Sequence, residues 1–529
     1  MKRVIHTTLA AALALLPATQ LHAATPDNTL VVAQNIDDIV SIDPAQAYEF
    51  SSGEYVANSY DQLVQYDAEN TTELAPGLAT DWDIDAATKT ITFTLRDDVS
   101  FHSGNPLRAE DVVYSFTRVV KLNKAPAFIL TQLGWTPDNI ERMVGAYDGK
   151  VVLHYDGDFA PSFVMNVLAS RPAAVVDAVE VSSHEVDGDM GNAWLNRNSA
   201  GTGPFKLRTY RPAELLIMDA NPDYFGGAPE MDTVIIRHVA EAATQRLLLE
   251  AGDVDMAMNL TPDQIAGMAD NSDINTETYP QAAVHFLSFN QKVDALTSEA
   301  FWEAARYLVD YEGMVDSFLN GQMQVHQAFW PAGFPGALED TPYQYDPDRA
   351  REILEDAGVE LPITVTLDVI NAAPFTDMAQ ALQATFAPVG INFDIIPGTG
   401  AQVITKYRAR THEAMLLYWG PDFMDPHSNA KAFSYNADNS DDHYQSTTTW
   451  RNAWQPSDEL NEETMAALTE QDSDKRLDMY RHLQVEVQQH SPIIIMFQAT
   501  KQVAMSERVS GFVNGAISDY VYYRLVEKD

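Results

Sequence analysis

A regular alternation of strand and helix patterns after residue 340 constrains the fold of this chain most. Asp346 and Pro347 predict the first turn of a helix, because aspartate caps free amides and proline is accepted at the first helical position, and Gly358 predicts its end. Periodicity then predicts strand 363–369, helix 375–389, strand 391–396, helix 403–409 and strand 414–418. Strands joined in this way pair in parallel through right-handed crossovers. Because ligands of such sheets lie beyond the carboxyl ends of the strands, the segment after Tyr418 is predicted to face a ligand.

The rest of the chain shows the same mixture of elements. Patterns typical of strands occur at residues 30–33, 90–95, 150–155 and 233–238, and patterns typical of helices at 108–119 and 240–251. At roughly 100–200 residues a domain, the 529 residues predict two to four domains. We therefore expect an α/β protein of several domains.

The charge balance excludes whole classes of partner. The chain carries 33 Lys and Arg against 76 Asp and Glu, a formal net charge of −43. A field of that sign repels phosphate groups, which argues against nucleic acid or an anionic membrane as partner. Cysteine is absent, so a disulfide framework, a cysteine–zinc site, a thiol nucleophile and a lipidated cysteine are all excluded.

The first residues have the pattern of an export signal. Lys2 and Arg3 precede the short apolar run 9–17, and small residues follow, which predicts a signal peptide over 1–23 that is cut after Ala23. The apolar run is shorter than the ~20 residues that span a bilayer, and no later run reaches ~18. We expect a soluble protein released into a bacterial periplasm, although a retained interfacial helix is the alternative for this segment.

Motifs of catalysis and of metal binding do not occur in this sequence. The nucleophile motif GxSxG, the zinc motif HExxH and the phosphate loop GxxxxGK[ST] are missing, and the 13 histidines lack metal-ligand spacing. The acidic stretches 187–189 and 438–442 are interpreted as solvated loops and not as calcium sites. The prediction is a protein that is not an enzyme and that holds no metal and no cofactor.

Six segments together resemble the bacterial extracellular solute-binding proteins of family 5, the peptide/nickel group that serves ABC importers. In chain order they are residues 41–44 (SIDP), 101–118 (FHSGNPLRAEDVVYSFTR), 201–205 (GTGPF), 221–226 (NPDYFG), 345–358 (YDPDRAREILEDAG) and 419–426 (WGPDFMDP). Each segment is weak alone, but all six occur in family order. Segment 101–118 is interpreted as scaffold, with Arg118 in a salt bridge and His102 as a satisfied turn residue.

The resemblance implies a two-lobed periplasmic-binding-protein fold of type II, an α/β fold with mixed sheets flanked by helices and a cleft between the lobes. It implies three domains after the signal peptide: a discontinuous sheet domain (25–58, 190–280 and 492–529), an inserted domain (59–189) and a second lobe (281–491). Two apolar strands are predicted to cross between the lobes near 282–290 and 493–497, where a hinge allows closure around a solute.

The resemblance also implies a ligand site. In the family the aspartate of the 419–426 turn pairs with the ammonium group of the ligand, which makes Asp422 the first candidate, while Asp425 is interpreted as a helix cap. Trp419 and Phe423 flank Asp422 as candidate pocket walls, or as core residues. The remaining candidates lie in the loop after the first strand; they are Tyr48, Glu49 and Phe50.

One departure from the family leaves the solute open. Dipeptide-binding members carry basic residues after the strand that ends here near Ile370, but residues 371–376 (NAAPFT) contain neither Arg nor Lys. Arg408 and Arg410 are possible substitutes, or solvated helix-end residues. The aromatic pair Phe329 and Trp330 is either a further ligand wall or a surface turn.

The prediction is therefore a monomeric substrate-binding component of an ABC importer that captures a peptide or peptide-like amine-bearing solute and delivers it to the permease. The alternatives are the same fold with a non-peptide solute, namely an opine, another amine, a sugar-like compound or a chelated metal, and, outside this class, an exported hydrolase.

Overall fold

The computed structural model describes residues 25–67, 70, 73–443, 445–515, 517 and 521–529. The predicted signal peptide and its cleavage site lie outside the described residues. No helix within these described ranges has the length and apolar character that a membrane crossing requires.

The described residues form nineteen strands and eighteen α-helices. The strands are β1 (Thr29–Gln34), β2 (Val64–Tyr66), β3 (Leu74–Pro76), β4 (Ala79–Asp85), β5 (Thr90–Leu95), β6 (Val144–Tyr147), β7 (Lys150–His154), β8 (Phe205–Arg211), β9 (Leu215–Ala220), β10 (Thr233–His238), β11 (Met256–Ala257), β12 (Ile274–Phe289), β13 (Met323–Val325), β14 (Ile363–Ile370), β15 (Ile391–Gly398), β16 (Ala414–Trp419), β17 (Ile493–Ser506), β18 (Val509–Ser510) and β19 (Glu527–Lys528). The helices are α1 (Phe50–Ser59), α2 (Ala109–Leu122), α3 (Ala127–Thr131), α4 (Ile140–Met143), α5 (Pro161–Leu168), α6 (Ala178–Ser183), α7 (Asn192–Leu195), α8 (Ala242–Glu250), α9 (Pro262–Ala266), α10 (Glu299–Tyr307), α11 (Tyr311–Asp316), α12 (Pro347–Asp356), α13 (Phe375–Phe386), α14 (Gly400–Arg408), α15 (Pro426–Ser434), α16 (Thr448–Arg451), α17 (Asp458–Thr469) and α18 (Ser473–His490).

One long mixed sheet runs through the molecule. Its strand order is β15-β14-β16-β12-β17-β11-β1-β10-β9-β8, with β13 paired to β17. A separate antiparallel sheet has the order β4-β5-β7-β6. Helices pack on these sheets, with α13 against β14 and β15 and α2 against β6 and β7. The expected α/β class is confirmed.

The predicted strand and helix alternation after residue 340 is confirmed. Asp346 accepts a hydrogen bond from the amide of Arg349 (2.9 Å), and Gly358 takes the positive φ of +67° that glycine adopts without strain. β14 pairs in parallel with both β15 and β16. Boundaries move slightly: α13 ends at Phe386 and continues as the 3-10 turn Ala387–Val389, and α14 begins at Gly400 because Thr399 caps it. The carboxyl end of β16 delivers the 420–426 turn.

Two long strands, β12 and β17, lie side by side near the middle of the sheet. They pair antiparallel in two blocks: residues 274–280 of β12 lie opposite 500–506, and residues 284–288 lie opposite 493–498. The ladder is interrupted between Pro280 and Val284. Such an irregularity bends a strand locally, and this one lies beside residues 282–290, where the sequence predicts a crossing between lobes. The three-domain division and its boundaries stay a prediction.

The scaffold interpretation of segment 101–118 agrees with its contacts. Arg118 on α2 is 1% exposed and pairs through both terminal nitrogens with Asp43, which is 0% exposed. His102 contacts the hydroxyl of Ser199 and the carbonyl of Gly203, at 3.1 and 3.0 Å. Burial lowers the pKa of this histidine to about 4, so it is neutral at pH 7.

Candidate functional site

Two neighbouring cavities lie where three separate parts of the chain meet. The larger, of about 600 Å³, is lined by Tyr48, by residues 125 and 128, and by side chains from the region 404–451. The smaller, of about 100 Å³, continues from it toward α15. Four residues line both cavities; they are Phe128, Trp419, Asp422 and Ser446. These four form the boundary between the cavities, and we call the pair the interlobe cavities.

Asp422 lies at this boundary, three residues beyond the end of β16. Its backbone amide donates to the hydroxyl of Ser428 (3.0 Å), which fixes the turn against α15. The hydroxyl of Tyr48 donates to Oδ1 of Asp422 (2.8 Å), a contact between residues 374 positions apart in sequence. Burial raises the pKa of Asp422, whereas the Tyr48 hydrogen bond and the charges of Arg171 and Arg451 oppose that rise. A desolvated carboxylate of this kind gains strongly from a cationic partner.

Tyr48 is held in place by Arg171 and Phe128. The guanidinium of Arg171 donates to the backbone carbonyls of Glu49 (3.1 Å) and Tyr48 (3.3 Å), which fixes this loop. The Tyr48 ring meets Phe128 edge to face, with 6.1 Å between centroids. Burial raises the pKa of Tyr48 above its usual value, and the neighbouring Asp422 carboxylate adds to the rise. Tyr48 is therefore a neutral hydrogen-bond donor at physiological pH.

Trp419 and Phe423 both line the interlobe cavities, but they also pack against the protein. The Trp419 ring meets Phe433 edge to face (6.1 Å), and the guanidinium of Arg451 lies over it at 5.6 Å. Phe423 is 3% exposed and packs edge to face on Phe163 (5.5 Å). Each therefore lines a cavity and is at the same time held in place by its packing on the protein.

Glu49 and Phe50 do not line either cavity. The Glu49 carboxylate accepts a hydrogen bond from the hydroxyl of Ser52 (3.3 Å), within its own turn at the start of α1. Phe50 is 50% exposed. Of the six candidate residues, the structure thus brings Tyr48, Trp419, Asp422 and Phe423 together, and their ligand roles stay a prediction.

Asp425 caps a helix, as interpreted from the sequence, and it also forms a buried ion pair. It accepts a hydrogen bond from the amide of His427 (2.9 Å) at the start of α15. It also forms a two-point ion pair with Arg476 of α18, at 2.7 and 2.8 Å. Asp425 is 1% exposed and Arg476 3%. The interpretation as a simple turn cap was incomplete, because a partner 51 residues away is invisible to local sequence patterns.

Sequence reasoning named two arginines, Arg408 and Arg410, as possible cations of the site, and only the first of them lines a cavity. Arg408 lines the larger cavity. Arg410 instead bonds to Asn439 and to Asp441 and lies over the ring of Trp450 at 4.4 Å. Phe329 and Trp330 are 0% and 1% exposed and belong to the core, and neither lines the interlobe cavities. The interpretation of this pair as a surface turn is therefore wrong.

Sequence reasoning missed most residues that line the cavities, among them Phe128 and two cations, Lys431 and Arg451. Phe128 belongs to the short helix α3, and its 45% exposure is unusual for a large apolar side chain. Lys431 lies on α15, nine residues after Asp422. The only sequence signal for its role is its position on the helix that follows the 419–426 turn.

A separate cavity of about 260 Å³ lies at residues 57–67. Burial raises the pKa of Asp61 there to about 6, but its two oxygens already accept hydrogen bonds from Thr202 (2.6 Å) and Tyr224 (2.8 Å). In the interlobe cavities, by contrast, Lys431 and Arg408 form no ion pair with a described residue. No group of three or more His, Cys, Asp or Glu side chains placed to hold a metal ion is found among the described residues.

Comparison with known proteins identifies what this chain resembles. The family model described as "Bacterial extracellular solute-binding proteins, family 5 Middle" matches residues 73–441. A probable D,D-dipeptide-binding periplasmic protein of Escherichia coli K12 is 27% identical over 519 residues, which cover 96% of each chain.

Two solved structures share the architecture at lower sequence identity. HbpA2 from Haemophilus parasuis has a TM-score of 0.79 at 22% identity, covering 95% of this chain and 100% of that chain. An ABC transporter-associated periplasmic binding protein from Helicobacter pylori, solved in complex with the peptide STSA, has a TM-score of 0.76 at 22% identity, covering 94% and 98%. These likenesses show the two-lobed type II fold.

Proposed function

This chain belongs to the bacterial extracellular solute-binding proteins of family 5, and from that premise we propose that it is the periplasmic receptor of an ABC importer for peptides or peptide-like amines. The observation that carries the proposal is Asp422, a carboxylate at the boundary of two cavities. Tyr48 donates to it across the cleft. The proposed mechanism is capture by lobe closure, delivery to the permease, and no chemical change of the solute.

The expected ligand contact is an ion pair between Asp422 and the solute ammonium. Burial of the carboxylate makes that contact strong, because a charge-assisted hydrogen bond contributes roughly 1.5–3 kcal/mol. A relative that is 27% identical is named as a probable D,D-dipeptide-binding protein, which supports a short peptide. A nickel-binding periplasmic protein of Escherichia coli K12, 25% identical over 429 residues, supports the chelated-metal alternative less directly.

The remaining parts of the proposal concern the protein in the cell. We expect export with cleavage after Ala23, a periplasmic location and a monomer that meets membrane permease subunits in its closed form. We also expect that the solute is recovered chemically unchanged after incubation. Mass spectrometry of the exported protein and of the solute tests both expectations, and light scattering tests the monomer.

Asp422→Asn tests the site directly, because it keeps the shape and removes the charge. We expect affinity for the retained solute, identified by native mass spectrometry, to fall by roughly 2–5 kcal/mol, thirtyfold to several thousandfold in Kd. Calorimetry on both proteins measures the difference. Asp348→Asn is the matched control, since Asp348 is 92% exposed on α12 and its loss changes the net charge equally.

Equal small effects of Asp422→Asn and Asp348→Asn would contradict the ammonium role. A retained solute that lacks any amine would also contradict it while leaving the receptor function in place. Product formed at protein concentrations well below those of the solute would contradict a receptor that does no chemistry.

A further inference from the structure

The interlobe cavities are cationic within a strongly acidic protein. Among the described residues, their lining contains one carboxylate, Asp422, and three basic side chains, Lys431, Arg408 and Arg451. His427 also lines the smaller cavity, where burial lowers its pKa to about 3 and keeps it neutral. The whole chain has a formal net charge of −43, so this local excess of positive charge is opposite in sign to the charge of the protein. Cavity walls of low dielectric strengthen the field of such a cluster.

Lys431 is the basic group of the smaller cavity. Its side chain lines that cavity and forms no ion pair or hydrogen bond within the part of the chain that the structure describes. Burial lowers the pKa of its ammonium, and no acidic group is among the causes that act on it. A cation in this state gains from any anion that enters beside it. The cavity of about 100 Å³ has room for a short side chain.

Arg408 lies at the other end of the site. It is the last residue of α14, it lines the larger cavity only, and it is exposed there. It forms no ion pair with a described residue. The shared boundary with Asp422 therefore separates two basic groups, one in each cavity. Arg451 differs from both, because its charge already acts on Asp422 and its guanidinium lies over Trp419.

We propose that this site selects solutes whose amine is flanked by two carboxylates, with the amine at Asp422, one carboxylate at Lys431 and the other at Arg408. The inference rests on the proposed function and deepens it. The ligand it fits is a dipeptide whose first residue is acidic: the side-chain carboxylate enters the smaller cavity and the terminal carboxylate lies in the larger one. A secondary amine bearing two carboxyalkyl groups has the same arrangement of charges.

Calorimetry with paired dipeptides tests the selection. Glu-Ala and Gln-Ala differ only in one charge, and we expect Glu-Ala to bind at least tenfold more tightly to the unmodified protein. In Lys431→Met that preference is expected to fall below threefold, with Lys431→Gln as a second variant and melting temperature as the check of folding. Lys121→Met is the matched control, because Lys121 pairs with Glu141 on the surface of α2. Amidation of the terminal carboxylate tests Arg408 in the same way, against Arg408→Met.

The outcomes distinguish this inference from the proposed function. Equal binding of Glu-Ala and Gln-Ala overturns the inference and leaves peptide binding in place. A preference that survives in both Lys431 variants also overturns it. If no dipeptide binds, N-carboxyalkyl amino acids are titrated next: binding that depends on Lys431 supports the inference and removes the peptide part of the proposed function. Failure of every compound in the panel overturns the inference and leaves the receptor function, which the retained solute tests separately.

Discussion

The same substitution is predicted to have different effects at the two aspartates of the 419–426 turn: a loss of stability at Asp425 and a loss of solute affinity at Asp422. Asp425→Asn keeps an oxygen that can accept from the amide of His427, so the helix cap survives in part. It removes the negative charge that faces the guanidinium of Arg476 at 2.7 and 2.8 Å. Asp422→Asn removes a carboxylate whose side-chain donor among the described residues is Tyr48 alone.

The expected changes in the free energy of unfolding follow from the burial of the charged groups. Arg476 is 3% exposed; burial by itself lowers its pKa, but the Asp425 carboxylate outweighs burial and raises it. Without that charge, the guanidinium keeps neutral contacts such as the carbonyl of Ala467 (3.0 Å). Breaking a buried pair by removing one partner costs about 3–5 kcal/mol. At Asp422 the native carboxylate already pays for desolvation, so we expect its substitution by Asn to change the unfolding free energy by less than about 1 kcal/mol.

Urea unfolding of both variants, followed by tryptophan fluorescence and circular dichroism at pH 7, measures the contrast. The double variant Asp425→Asn with Arg476→Met removes both charges, and we expect it to be more stable than Asp425→Asn alone. A loss below about 1 kcal/mol in Asp425→Asn would refute the reasoning. So would an Asp422→Asn protein that is destabilised as strongly as Asp425→Asn.

Two further predictions concern stability elsewhere. Arg118→Met leaves Asp43 charged and buried, so we expect urea unfolding to show a loss of about 3–5 kcal/mol; Lys121→Met on the same helix is the control, and equal losses in the two variants would contradict the buried pair. Acidification from pH 6.5 toward 4 should lower the urea midpoint, because unfolded histidines take up protons that buried neutral ones do not, at up to ~1.4 kcal/mol per pH unit for each. The histidines whose pKa burial lowers to about 4, or to about 3 for the last, are His102, His285, His412 and His427. The carboxyl groups of Asp61, Asp111 and Asp422, whose pKa values burial raises, act in the opposite sense but are fewer than these four histidines; a midpoint that stays constant between pH 6.5 and 4 would contradict the prediction.

Much of the fold follows from local sequence patterns. Asp346, Pro347 and Gly358 determine both ends of α12, because capping and positive φ are properties of single residues. The alternation over β14, β15 and β16 predicts parallel pairing, and the same logic places the 420–426 turn at a carboxyl end. The six motif segments identify the family, and the family model agrees over residues 73–441.

Tertiary structure alone decides which side chains meet at the site. Tyr48 and Asp422 are 374 residues apart, and no periodicity relates them. The sequence places Glu49 and Phe50 beside Tyr48, but neither residue lines the cavities. Arg408 and Arg410 are two residues apart, and packing sends the first to the larger cavity and the second to Asp441. Lys431 becomes a site residue because α15 turns it toward the smaller cavity. Local preferences determine the elements of this protein, whereas long-range packing determines the charge that a solute meets.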